Sequence, residues 1–252
     1  MSIPDWQLPP GVDRGLWDYL HSGEMVRGYD GQMNASPLAT ADVSFCERVF
    51  DRPGWLIDLG CGTGRLCVHF ARLGYDCVGV DLSDEMLTQA RANADRAGVT
   101  VEWRNANLVE LTGVPDGHFD YAACLFSTLG MVRWAEHRIA VARQAFRVLR
   151  PGGWFVLHVH NRYFRGLGWG RVVRQAARSL LGRADAGDVT MSQAYGGAPL
   201  TLHHFTRREA TLLLTATGFL ARTETAVCES GREVPPGTRA YGYLIAAEKP
   251  ES

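Results

Sequence analysis

The stretch "LIDLGCGTGR", Leu56 to Arg65, carries glycines on alternate positions, Gly60, Gly62 and Gly64, just after Asp58. It follows a short apolar run and precedes a helical pattern. A residue without Cβ accepts unusual dihedrals and lets a ligand approach the backbone closely. Glycines in this number at a strand-to-helix turn mark a cradle for a cofactor rather than an ordinary tight turn. Two common cradles fit poorly. No Lys-Ser/Thr pair follows at phosphate-loop spacing, and the dinucleotide fingerprint would place its third glycine where Arg65 stands. Asp81 closes the run "VGVDLS" further along. A carboxylate at that point can accept hydrogen bonds from both hydroxyls of a ribose.

Histidines are the natural candidate bases. In "WFVLHVHNRYF", His158 and His160 share one strand face with Trp154 and Val156. His158 lies inside the strand and reads as a core histidine. His160 and Asn161 fall at the carboxyl end, where open α/β sheets bind ligands; with Tyr163 they are the candidate catalytic residues. His203 and His204 are adjacent in a strand pattern and point to opposite faces, so one of them can face the site. The spacing of these histidines matches no metal motif, and no metal is expected.

The elements that must position these residues follow from periodicity. "WLIDLG", "DCVGVDLS", "TVEWRN", "FDYAACLF" and "WFVLHVH" read as strands, and amphipathic helices run between them. Ser83 predicts an N-cap with Asp84 and Glu85 in the first turn, and Gly98 a stop. A helix over 135–149 stops at Pro151-Gly152-Gly153. "TRREATLLLTATG" is a last helix; "FLARTETAVCE" and "YGYLIAAEK" are final antiparallel strands. The expected fold is α/β, a doubly wound, seven-stranded, mostly parallel sheet. Its parts are a helical N-terminal cap (1–54), a core (55–160), an inserted lid (161–205) and a C-terminal completion of the sheet (206–252).

The insertion carries Arg165, Arg171, Arg174, Arg178 and Arg183 before any acid. Arg171, Arg174 and Arg178 share one helical face. That face reads as a solvated basic surface over an apolar underside, as a clamp for an anionic substrate, as a membrane-surface contact or as a contact for tRNA phosphates. "VTMSQAYGGAPLTLHHF" reads as a hairpin about a Gly196-Gly197 turn.

The pattern D-x-G-x-G-x-G followed by V-D resembles the class I S-adenosylmethionine-dependent methyltransferases. "DLGCGTGR", "GVDLS", "FDYA" and "RVLRPGGWFVLHVH" stand in that family's order, covering 25–160 well and 206–248 in outline. The resemblance implies a cofactor, S-adenosylmethionine, with S-adenosylhomocysteine as product. Gly60, Cys61, Gly62 and Gly64 would form the turn beside its methionine and ribose. Asp58 would meet the methionine ammonium, and Asp81 would bind the ribose diol. Leu82 and Met86 would flank the adenine. The acid that the family usually places after the third strand is missing here; Asn105 and Asn107 stand in its stretch, and Leu108 would pack on the ring. Leu125 and Phe126 would border the sulfonium, and Tyr29 would cover the cofactor or simply pack in the cap. The expected reaction is methyl transfer to an O or N atom of a small-molecule acceptor. A tRNA-modifying enzyme of the same fold and a non-catalytic binding protein are the alternatives.

Composition narrows the remaining classes. The chain has 252 residues, 46% hydrophobic, with 26 Lys plus Arg against 27 Asp plus Glu, so bulk charge does not favour nucleic acid. The cysteines are scattered without a C-x-x-C pair, as expected of reduced thiols in a cytoplasmic protein. No window reaches the roughly 18 apolar residues of a membrane span. A monomer or homodimer is expected.

Overall fold

The computed structural model describes residues 3–22, 28–31, 36–194 and 198–251. The apolar runs become strands because a run hydrophobic on both sides is satisfied only inside a sheet covered on both faces. β1 (Trp55–Leu59), β2 (Asp76–Asp81), β3 (Glu102–Asn105), β4 (Phe119–Cys124) and β5 (Leu149–His160) are parallel neighbours in the order β3-β2-β1-β4-β5. Successive strands step away from β1 on one side, and β4 then starts the other side. A crevice opens at that reversal, beyond the carboxyl ends of β1 and β4.

Alternation along β1 divides the core. Leu56 faces a layer with Phe45, Leu66, Phe70 and Leu87; Ile57 and Leu59 face another with Val141, Val148, Ala210 and Leu214. The first layer comes from α2 (Pro37–Val49), α3 (Arg65–Arg72) and α4 (Asp84–Ala97); the second from α6 (Ala135–Val148) and α8 (Arg207–Ala216). Each fully buried Leu, Ile or Phe contributes about 1.5–3 kcal/mol. Helix ends follow the expected chemistry. The Ser83 hydroxyl accepts from the Met86 N–H at 3.3 Å, Gly98 closes α4 at φ +66°, and Thr206 and Glu209 form a reciprocal cap on α8.

The sheet has eight strands, not the expected seven. β10 (Gly242–Glu248) is antiparallel between β5 and β8 (Leu220–Val227). The addition is β9 (Glu233–Val234), which folds back on Ala226 and Val227. Two residues are too short to carry an alternating pattern, so periodicity does not report this strand. β5 also begins earlier than "WFVLHVH", at Leu149, because Gly152 at φ +75° bends the chain without ending the pairing.

Asn161 and Phe205 form a single parallel bridge, so the ends of the segment between them meet. That segment holds α7 (Trp169–Leu180) and an antiparallel hairpin of β6 (Asp188–Ala194) and β7 (Ala198–His203). The expected Gly196-Gly197 turn lies outside the described residues. Side chains pin the hairpin. His203 Nδ1 is 2.8 Å from Asp188 and its Nε2 2.7 Å from Glu209, which also pairs with Arg162. Arg133 bonds Asp188 at 3.1 Å and Asp13 at 3.0 Å, tying the hairpin to α1 (Arg14–Leu20). Val12, Leu16, Tyr19, Leu200 and Leu202 pack together where α1 meets β7.

α7 departs from expectation. Its apolar residues do not form an underside: Trp169, Val173 and Leu180 are 60%, 66% and 89% exposed. The helix is held instead by an amide. Gln175 is buried, accepting from the Gly187 N–H and donating to the Asp188 carbonyl.

Candidate active site

The glycine turn is built to bring backbone against a cavity. Gly60, Gly62 and Gly64 have φ of +82°, +52° and +82°. Gly60 and Cys61 both donate their N–H to the Val80 carbonyl, which ties the turn to β2. The glycines differ in purpose. A Cβ on Gly60 would stand 2.3 Å from Thr128 Cγ2, and one on Gly64 2.4 Å from the Trp103 ring. A Cβ on Gly62 would instead meet the Tyr29 ring at 3.5 Å, an ordinary van der Waals contact. Gly60 and Gly62 line the cavity, whereas Gly64 serves the packing of the turn.

Asp81 closes β2 directly below. One carboxylate oxygen accepts from the Gly62 N–H at 2.8 Å and the other from the Ser83 N–H at 2.9 Å. Burial raises its pKa, and the amides of Ser83, Gly62 and Leu82 oppose the rise. Each oxygen retains a lone pair, so the group fits a ligand diol. Asp58 sits deeper. Burial pushes its pKa up to about 7, with Asp81 and Asp42 adding to the rise and Arg65 opposing it.

Three adjoining chambers surround the turn. The first, about 710 Å³ of space partly open to solvent, is bounded by Asp81, Leu82, Met86, Asn107 and Leu108, and roofed by residues 10–12 and α1. Asn107 is braced: its amide donates to the Pro10 carbonyl and its oxygen accepts from the Val109 N–H. That oxygen keeps one lone pair for a ligand amino group. The second chamber is bounded by Asp58, Cys61, Leu125 and Phe126. The third, about 660 Å³, lies under the hairpin, between Phe126, His160, Arg171, His204 and Tyr241. Tyr29 borders all three.

The partition at Phe126 uses strained backbone. Phe126 and Ser127 have φ of +50° and +62°, a conformation costing on the order of 1–3 kcal/mol for such residues. Thr128 then opens the short α5 (Thr128–Met131). Ser127 holds the kink to β5: its N–H donates to the His158 carbonyl, and its hydroxyl accepts from the His160 N–H.

The predicted residues separate into those on the cavity walls and those off them. Tyr29, Asp58, Gly60, Cys61, Gly62, Asp81, Leu82, Met86, Asn107, Leu108, Leu125 and Phe126 stand on the walls of the first two chambers. Asn105 does not; its amide is engaged by the Leu82 carbonyl and Asp84. His160 borders the third chamber. Its Nε2 is buried with no hydrogen-bond partner among the described residues. Burial holds its pKa well below the usual imidazole range, as do the charges of His204, His158 and Arg171. His204 is pushed down to about 3 by burial and by Arg171. Both rings are therefore neutral near neutral pH. Asn161 is turned away, donating to the Gly237 and Ala240 carbonyls and accepting from the Tyr163 N–H. The Tyr163 hydroxyl bonds Ser179. His158 is a core residue whose Nδ1 is 2.6 Å from Asp42, fastening α2 to β5.

Sequence reasoning missed Thr128, Tyr241 and Asp42. Asp42 left one signal, an acid on the apolar face of its helix. Of the arginine stripe, Arg171 turns into the third chamber, Arg178 pairs with Asp185 and Arg174 is exposed. Cys46, Cys61, Cys67, Cys77 and Cys124 are buried free thiols. Among the described residues no helix is long and apolar enough to cross a membrane.

Residues 56–153 match the family described as a methyltransferase domain. A ubiquinone biosynthesis O-methyltransferase from Bordetella avium is 29% identical over 60% of this chain and 63% of its own length. The chain spans 53–63% of the length of three curated relatives it matches. Among solved structures, a methyltransferase of Methanosarcina mazei covers 82% of this chain and 98% of its own at 23% identity, TM-score 0.68. The 1,6-didemethyltoxoflavin-N1-methyltransferase of Burkholderia thailandensis, solved with S-adenosylhomocysteine, covers 96% and 93% at 19% identity, TM-score 0.64.

Proposed function

We propose that this chain, whose residues 56–153 match the methyltransferase-domain family, is a class I S-adenosylmethionine-dependent methyltransferase that methylates an oxygen or nitrogen of a small molecule held in the third chamber. When bound, S-adenosylmethionine supplies an electrophilic methyl group on its sulfonium. The protein's own residues do the rest. Asp81 takes the ribose diol on its free lone pairs. Asn107 and Leu108 hold the adenine, with Leu82 and Met86 on its faces. Asp58 and the amides of the turn hold the methionine end. Methyl transfer is an in-line displacement, so alignment and exclusion of water provide most of the rate. Tyr29 and Phe126 set that alignment by bounding donor and acceptor chambers together. The segment 161–205 acts as the lid over the acceptor, and residues 10–20 with Tyr29 as the cap over the nucleoside, while α2 belongs to the core.

The observation that carries this reading is the buried Nε2 of His160, without a partner in the wall beside Phe126. An unmet polar atom there costs about 1–3 kcal/mol, which a hydroxyl or amine on the acceptor recovers. As a neutral imidazole it can receive the acceptor's proton. Relatives named O- and N-methyltransferases support those acceptor atoms. Engagement of Arg178 by Asp185, and the turn of Arg171 inward, leave little of the stripe for tRNA. Isothermal titration with S-adenosylhomocysteine tests the reading: saturable binding is expected, and its absence refutes it. His160→Gln should lower kcat with little change in the KM for S-adenosylmethionine; an unchanged kcat removes His160 from the proton transfer.

A further inference from the structure

The third chamber holds a cation with no counter-charge. Its walls are apolar or aromatic (Phe126, Met131, Leu167, Met191, Leu200), and no Asp or Glu lines it among the described residues. Into these walls α7 projects Arg171, half-buried, whose recorded polar contact is His204 Nδ1 at 3.4 Å. Nearby arginines differ. Arg133 has Asp13 and Asp188, Arg162 has Glu209, and Arg178 and Arg183 share Asp185. Arg171 has no ion pair among the described residues. Burial and the neighbouring Arg174 lower its pKa, as expected of a cation kept from water without an anion.

A fixed guanidinium in an apolar chamber selects ligands by charge. It repels ammonium groups, and a carboxylate can take two parallel N–H bonds from it. Its position gives a second constraint. His204 stands next to Arg171, and the His204 and His160 ring centroids are 5.3 Å apart. The cation and the unpartnered His160 ring therefore both neighbour His204 in the wall of this one chamber.

We propose that the methyl acceptor is a small aromatic acid, whose carboxylate pairs with Arg171 while the hydroxyl or amine to be methylated meets His160. The flat, apolar walls take the ring. This rests on the methyltransferase reading above and narrows it to one class of substrate.

The test uses the full chain saturated with S-adenosylhomocysteine. 4-Hydroxybenzoate and 3,4-dihydroxycinnamate are titrated against their methyl esters and against tyramine. The acids are expected to bind at least about tenfold more tightly than the esters, the loss usual for a charged hydrogen-bond partner, and tyramine most weakly. Arg171→Gln should abolish the preference for acids, Arg171→Lys should keep part of it, and both should bind S-adenosylhomocysteine as the parent does, which shows that they are folded. If the esters or tyramine bind as well as the acids, if no acid binds, or if Arg171→Gln retains the preference, the proposal falls while the methyltransferase reading stands. If S-adenosylhomocysteine itself does not bind, both fall.

Discussion

Asp58 gives the sharpest test of the donor site. It ends up inside β1, 4% exposed, with a pKa raised to about 7 against an ordinary 3.8. The folded state thus holds a proton that the unfolded chain has lost between about pH 4 and pH 7. With more protons bound when folded, stability falls as pH rises through that window. At about 1.4 kcal/mol per unit, the group removes on the order of 4 kcal/mol by neutral pH. Other carboxylates, such as Glu209, which His203 and Arg162 hold below the usual range against the effect of burial, act in the opposite direction. The comparison must therefore be between the parent and Asp58→Asn at each pH. The variant should gain stability over the parent steadily from about pH 4 to pH 7 in urea titrations. Ligand binding gives a second readout. An ammonium placed beside Asp58 lowers its pKa and expels the proton. With a free pKa of about 7, S-adenosylhomocysteine should release about 0.9 proton near pH 6, 0.5 near pH 7 and 0.1 near pH 8. Titration calorimetry in phosphate and in imidazole buffer measures that release from the difference in enthalpy, and Asp58→Asn should abolish it. Equal enthalpies in both buffers at about pH 6 would refute the placement of the ammonium.

Three further outcomes are expected. Asp81→Asn sets an amide against the N–H groups of Gly62 and Ser83 and should weaken S-adenosylhomocysteine binding tenfold or more by calorimetry. Gly60→Ala places a methyl 2.3 Å from Thr128 Cγ2 at φ +82° and should destabilise by about 1–2 kcal/mol from the backbone alone; Thr128→Ala should restore part of the loss in a double-mutant melt. Asp188→Asn removes the carboxylate that joins His203 to Arg133, so hydrogen exchange across 188–203 should speed up and the acceptor KM rise; unchanged exchange would show that the hairpin is held by other contacts.

The donor half of the site was readable because local rules determine it. The Gly62 and Ser83 amides meet the Asp81 carboxylate across one βαβ unit, where the parallel pairing of β1 with β2 brings the two turns together. The alternation of apolar strands with amphipathic helices likewise implied the mostly parallel, doubly wound sheet, though not its strand order. The acceptor half depends on long-range placement. His160 meets Arg171 and His204 only because the chain from 161 to 205 returns to its starting point, and no periodicity reports that. Asn161 and Tyr163 have the right chemistry at the right strand end, yet their side chains complete loops at 237–240 and at Ser179. The Phe126-Ser127 kink is silent because neither residue type favours left-handed backbone. In α7, the apolar residues suggested a buried underside, but the helix docks through polar side chains, Gln175 and Ser179 among them, and leaves Val173 and Leu180 outside.

The shared walls have a consequence for how this protein can change. Tyr19 and Met131 border both the first chamber and the third, and Tyr29 borders all three. Arg133 fastens the coverings of both with one guanidinium. A substitution that reshapes the acceptor space through any of these four side chains alters the seat of the donor too. Selection or engineering for a different acceptor is therefore confined to positions that touch the acceptor alone. Leu167 and Val189 are such positions, and variation there can retune the choice of substrate while the common methyl source is kept.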